Sequence, residues 1–185
     1  MTKLPRFVLV AVAISLLQIA FIGWMVAGRA ALLRDGTDVT LAVEPIDPRD
    51  LLRGDYVVLS YPISQLRGDL APRGASGGDT IYVRVGPDEN GTFEPVAARL
   101  GSSPEAALGD GEIDIRGTVR RSEFGSVHSN FGIERFYVPE GAGRGIEEDM
   151  RQDRFEVVLA VGKDGSAQIR SLLHEGRPVY SDPIF

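Results

Sequence analysis

Residues 154–173 read RFEVVLAVGKDGSAQIRSLL. Two apolar runs, 154–161 and 167–173, flank Lys163-Asp164-Gly165-Ser166. Asp-Gly between apolar runs is the strongest short-range hairpin signal, because both residues accept the positive φ that a tight reversal needs. The stretch predicts an antiparallel hairpin. The same grammar extends upstream: Val39, Leu41 and Val43 share one face of a first strand, 56–61 form a second, 80–85 a third and 92–100 a fourth. Ile113, Ile115 and Val119 alternate with Asp114, Arg116 and Arg120 in a fifth strand, and 130–138 supply a sixth. Gly, Pro, Ser and Ala crowd 67–79 and 102–111, which read as surface loops. A short helix is expected at Ile146-Glu147-Glu148-Asp149-Met150, where negative charge suits the first turns. Many short strands with frequent turns predict an all-β body, an antiparallel sandwich or barrel-like domain over 35–185.

The head differs. Residues 7–28, FVLVAVAISLLQIAFIGWMVAG, carry no formal charge. As a helix they would extend about 33 Å, enough for a hydrocarbon core of about 30 Å. Lys3 and Arg6 precede the run, Arg29 and Arg34 follow it, and Trp24 lies near its outer end, where indole rings favour the interface. A cleaved signal peptide has a shorter apolar region. Residues 1–34 therefore predict an uncleaved signal anchor, a single transmembrane helix at 7–28 whose lipid partner is the bilayer. The positive-inside bias points to a cytoplasmic N-terminus and an extracytoplasmic body.

Charge is unevenly shared over the 185 residues. From Asp35 onward, 16 cations face all 26 carboxylates, a formal −10 within a chain of net −6. That acidity argues against nucleic acid as a partner. The chain has no cysteine, which excludes disulfides, thiolate metal sites, iron–sulfur clusters and cysteine nucleophiles. Its two histidines cannot build a His-rich metal site. No cofactor is expected.

Residues 44–62, EPIDPRDLLRGDYVVLSYP, hold the densest local pattern. Asp47 can cap a one-turn helix begun by Pro48, and Gly54 can end it in the left-handed conformation. Asp55 leads into a strand. Along it Val57, Leu59 and Tyr61 point to one face, with Tyr56, Val58 and Ser60 opposite, and Pro62 ends the pairing.

This stretch resembles the GDYXXLXY family of membrane-anchored bacterial proteins. Gly54, Asp55, Tyr56, Leu59 and Tyr61 fill all five defining positions. Residues 131–141, FGIERFYVPEG, are similar to a second family segment, which more often opens with Tyr than with Phe131. The resemblance implies an N-terminal anchor, an extracytoplasmic domain and association with a multi-spanning membrane protein encoded nearby. It implies no activity. Candidate partner-binding residues follow from the two segments: Gly54, Asp55, Tyr56, Leu59, Tyr61, Glu134, Arg135, Tyr137, Glu140 and Gly141.

Other chemistries fit less well. Asp55, Glu134 and Glu140 could pair as the two carboxylates of a glycan hydrolase, whose separation must be about 5–10 Å. Cross-strand ion pairing by Glu134 and Arg135 is the simpler expectation. A Ser–Lys protease needs a buried lysine, yet the two lysines are Lys3, before the apolar run, and Lys163, in the expected turn. A triad could use His128, between Ser126 and Ser129, but a solvated loop histidine is the expectation there. Arg53-Gly54-Asp55 and Arg67-Gly68-Asp69 are formal adhesion tripeptides that serve equally as turns. Gly141-Ala142-Gly143-Arg144-Gly145 lacks the Lys-Ser/Thr of a phosphate loop, and Glu147-Glu148-Asp149 lacks the alternation of an EF-hand. The leading expectation is a non-enzymatic interaction module. The alternatives are an envelope hydrolase and an extracytoplasmic ligand sensor.

Overall fold

A computed structural model of the chain describes residues 6–44, 56–137, 149–150 and 153–181. Helix α1 (Arg6–Asp35) is followed by eleven described strands: β1 (Thr37–Ala42), β2 (Tyr56–Val58), β3 (Gln65–Arg67), β4 (Thr80–Pro87), β5 (Phe93–Leu100), β6 (Ile113–Glu123), β7 (Ser126–Asn130), β8 (Arg135–Tyr137), β9 (Phe155–Val161), β10 (Ala167–His174) and β11 (Arg177–Ser181). All pairings are antiparallel. One sheet has the order β1-β9-β10-β11, a second β3-β7-β6-β4-β5, and β2 with β8 forms a two-stranded ribbon.

Alternation builds the core. In the first sheet Val39 faces Leu159 and Leu41 faces Val157, and all four side chains are buried. In the second, Ile81, Val83, Val85, Ile115, Val119 and Val127 turn inward. One continuous apolar cluster joins both sheets and the ribbon. Each fully buried Val, Leu or Ile contributes about 1.5–3 kcal/mol relative to exposure.

The Asp-Gly hairpin forms as expected between β9 and β10, with Gly165 at φ +79°. The Asp164 carboxylate accepts from the Ser166 N–H (3.2 Å) and hydroxyl (2.6 Å). Those bonds hold its pKa below the usual carboxylate value, helped by the charge of Arg116. The Gly165 carbonyl accepts from the Arg116 N–H of β6 at 2.7 Å, so the hairpin tip stitches one sheet to the other.

Four sequence expectations change. Residues 130–138 are not one strand: β7 ends at Asn130, a turn occupies 131–134, and β8 begins at Arg135. Gly132 sits at φ +80°, which a continuous strand cannot accommodate. His128 is not a loop residue but lies in β7, half-buried. The strand expected at 56–61 is a regular strand only over Tyr56–Val58; Ser60 then makes an isolated antiparallel bridge to Glu44 before Pro62 opens a 3₁₀ turn (Pro62–Ser64). The helix expected at 7–28 continues to Asp35. The Asp47–Gly54 turn lies outside the described residues, as does the 146–150 helix except for Asp149 and Met150.

The extra turns of α1 join it to the body. Over Phe7–Asp35 the helix is long and apolar enough to cross a membrane, and the side chains of its apolar span are unburied. At about 1.5 Å per residue its 30 residues extend about 45 Å. Leu33 is buried against the sheet. Gly36 ends the helix, its N–H bonded to the Leu32 carbonyl at 2.9 Å. A Cβ on Gly36 would sit 2.6 Å from that oxygen and 3.1 Å from the Ala160 Cβ, so only glycine fits the junction. The Arg170 guanidinium donates to the Leu33 carbonyl and pairs with Asp38 at 3.1 Å. A cation there suits the negative end of the helix dipole. Arg170 is the extra residue of a bulge, since Ile169 pairs Leu159 while Ser171 pairs Val158. The bulge re-aims its side chain toward the helix.

Candidate functional site

The two segments singled out in the sequence are neighbouring strands. Tyr56 pairs with Tyr137, Val57 with Phe136 and Val58 with Arg135. Val57, Leu59 and Tyr61 are fully buried, as the alternation required, and Val58 is exposed.

The seam continues past the ribbon. The Leu59 N–H donates to the Glu134 carbonyl at 2.9 Å, and the buried Tyr61 hydroxyl donates to the Ile133 carbonyl at 2.7 Å. The Glu134 carboxylate folds back on its own turn. It accepts from the Phe131 N–H and, at 3.0 Å, from the Gly132 N–H. Such charge-assisted bonds are about twice as strong as neutral ones. For Glu134 this replaces the expected cross-strand ion pair, because the turn places its carboxylate opposite backbone donors. Burial, and then the Glu134 charge, push the Tyr61 phenol well above its ordinary pKa. Tyr61 therefore stays a neutral donor. The seam closes on Gly117, over which the Phe131 ring lies so closely that a Cβ would be 2.6 Å from it.

Of the remaining candidates, Tyr137 is exposed and Arg135 lies beside it on β8. Gly54, Asp55, Glu140 and Gly141 lie outside the described residues, as does the side chain of Tyr56. A pairing of Glu134 with Asp55 or Glu140 falls there too. His128 Nε2 is 3.3 Å from Gln65 Nε2 and 3.5 Å from the Ser126 hydroxyl. Burial first, and then the charge of Arg121, lower its pKa. Among the described residues no group of three or more His, Asp or Glu is placed to hold a metal ion.

Beside the seam lies a cleft of about 810 Å³, bounded by the end of α1, β6, β7, the ribbon and β10. Sequence reasoning missed it. One wall residue is Arg120, the extra residue of a second bulge: Val119 pairs Ser129 and Arg121 pairs His128. Another is Arg29, whose Nε lies 2.7 Å from the Gln168 amide oxygen when that amide is oriented to accept. Sequence reasoning also missed Arg84, a buried cation on β4. It holds Asp114 through two bonds of 2.7 and 2.9 Å and donates to the carbonyls of Ala106 (2.6 Å) and Ala107 (3.2 Å). It thereby fastens the expected 102–111 loop to the sheet.

No curated protein and no solved structure matches this chain. The family model described as GDYXXLXY protein matches residues 18–172, which take in α1 from Gln18, the motif strand, the turn bonded to it and both sheets as far as Leu172 in β10. With the motif and its partner segment forming one hydrogen-bonded seam inside that match, the chain belongs to the GDYXXLXY family.

Proposed function

We propose that the protein is a non-enzymatic interaction module of the bacterial envelope. In this reading α1 is a retained signal anchor spanning the inner membrane once, with its N-terminus in the cytoplasm. The β body stands on the periplasmic side and docks on a multi-spanning membrane protein through the outer face of the β2–β8 ribbon. One observation carries the reading: among the described residues of the seam, the Tyr61 hydroxyl and the Glu134 carboxylate serve the fold, while apolar side chains face outward. The Tyr61 hydroxyl and the Glu134 carboxylate are both bonded to backbone groups. Val58 and Tyr137, on the same ribbon, are exposed, at 39 % and 68 %. Exposed aromatic groups on a rigid strand make effective anchors for a partner. The junction at Gly36, Arg170 and Asp38 adds to this, since it fixes how the ribbon is presented relative to α1.

The test is site-specific photocrosslinking in intact cells. A photoreactive residue at position 137 should yield one discrete adduct with a polytopic membrane protein. The same residue at the exposed Val96 of β5 should not. Absence of an adduct at 137, or equal adducts at both positions, would refute the docking face.

A further inference from the structure

The cleft beside the seam shares the outer face of the ribbon, with Val58, Arg135 and Tyr137 in its wall, and carries guanidinium chemistry that the Tyr61 and Glu134 hydrogen bonds do not use. Among the described residues, three guanidinium groups, Arg29, Arg120 and Arg135, and one carboxylate, that of Glu134, contribute to its walls; Arg135 is engaged within the protein, which leaves Arg29 and Arg120 as the cations that matter here. That carboxylate is already taken up by two backbone N–H groups. In a body of formal charge −10, a concave surface with this excess of arginine runs against the overall balance. Two of the three arginines are placed there by specific local structure. The β6 bulge turns Arg120 out of the ladder, a device that recurs where a side chain must be aimed at a ligand. Gln168 of β10 faces the Arg29 side chain and, with its amide oriented to accept, ties it to the body. Ser129, also in the wall, has a buried hydroxyl with no hydrogen-bond partner among the described residues. Buried hydroxyls ordinarily find one.

The position of Arg29 narrows the ligand. It directly follows the uncharged run 7–28, so with that run in the hydrocarbon core Arg29 lies at headgroup depth. Guanidinium forks match phosphate oxygens in geometry and charge. We propose that this cleft binds the phosphoryl group of an anionic phospholipid headgroup, with Arg29 and Arg120 as its principal ligands. The proposal rests on the bilayer reading of α1. A free phosphate in the surrounding medium offers the same anion, and the test separates the two sources.

The full chain in non-ionic detergent micelles is titrated calorimetrically with dihexanoyl-phosphatidylglycerol, dihexanoyl-phosphatidylcholine and sodium phosphate. Phosphatidylglycerol should bind about ten-fold more tightly than either alternative, and Arg120→Gln should remove about ten-fold of that affinity. Arg120 is exposed, so this variant should fold. Arg99→Gln, which alters an exposed arginine of β5 outside the cleft, should change nothing. Equal binding of the two lipids, or an Arg120→Gln affinity equal to that of the parent, overturns the proposal. Phosphate binding as tight as phosphatidylglycerol overturns the lipid assignment. Flotation of the same protein with phosphatidylcholine-only vesicles reports bilayer insertion of α1 by itself, so failure of the anchor and failure of the cleft give different results.

Discussion

Replacing Tyr61 with phenylalanine removes a single oxygen from the centre of the seam and leaves the ring that fills the core. The lost bond is 2.7 Å long, and Tyr61 and Ile133 are both buried, at 0 % and 1 % exposure. Water cannot replace the missing donor. The cost is the net worth of a hydrogen bond, about 1 kcal/mol, enlarged by leaving the Ile133 carbonyl buried and unpaired, for about 2 kcal/mol in all. For a chain of this size that lowers the melting temperature by about 4–8 °C. Thermal unfolding of the full chain in detergent, followed by near-ultraviolet circular dichroism, measures it. Tyr82→Phe, a half-buried β4 tyrosine, is the control and should stay within about 0.5 kcal/mol of the parent. A second signature separates the hydroxyl from general damage. Burial, and then Glu134, raise the Tyr61 pKa, so in the folded state the phenol keeps its proton after unfolded tyrosine, at about 10, has lost it. The resulting stability is whole below about pH 10 and falls as the pH climbs beyond it. Tyr61→Phe should therefore flatten the alkaline limb of the stability profile. A variant that melts within about 1 °C of the parent and keeps the same alkaline slope would show that this bond does not hold the seam.

Other parts of the molecule give equally direct expectations. Gly117→Ala should cost about 1–3 kcal/mol in urea unfolding, because the added methyl meets the Phe131 ring at 2.6 Å and the Asn130 carbonyl oxygen at 2.8 Å. Arg84→Ala should cost about 3 kcal/mol or more, since it strands the Asp114 carboxylate in a largely buried setting; proteolysis should then cut first within 102–111. Gly36→Val should disturb the meeting of α1 with β9, seen as faster amide exchange at Val161, whose nitrogen lies 3.1 Å from the position of the added Cβ. Acid should weaken the β9–β10 turn as the pH falls through the lowered pKa of Asp164, an effect that Asp164→Asn should erase in a pH series of amide exchange.

What was readable in the sequence was whatever depends on near neighbours. The β9–β10 hairpin follows from Asp164-Gly165, and the buried faces of β1, β4 and β6 follow from period-two alternation. The inward turn of Leu59 and Tyr61 came from the same rule. The sequence missed β7 because Ser126-Val127-His128-Ser129-Asn130 holds one apolar residue, and it is a strand because β6 and β3 flank it. β11 carries Pro178, tolerable only because the strand lies at the sheet edge. The placement of Arg120 and Arg170 depends on bulges, and a bulge is a property of two strands in register, absent from either alone. Arg84 gave no warning because arginine is ordinarily exposed; its burial is licensed by Asp114, thirty positions away, and by carbonyls of a loop. The pairing of the two family segments is likewise long-range, joining Tyr61 to Ile133 across 72 positions.

The proposed role requires α1 to cross the bilayer and hold the β body beyond it. Fusing alkaline phosphatase after Phe185, and in parallel a fluorescent protein that matures only in the cytoplasm, tests this in one step. The expected result is an active phosphatase and a dark fluorescent fusion, both resisting carbonate extraction from membranes. An inactive phosphatase with a bright fluorescent fusion, or a fusion released into the wash, would contradict it.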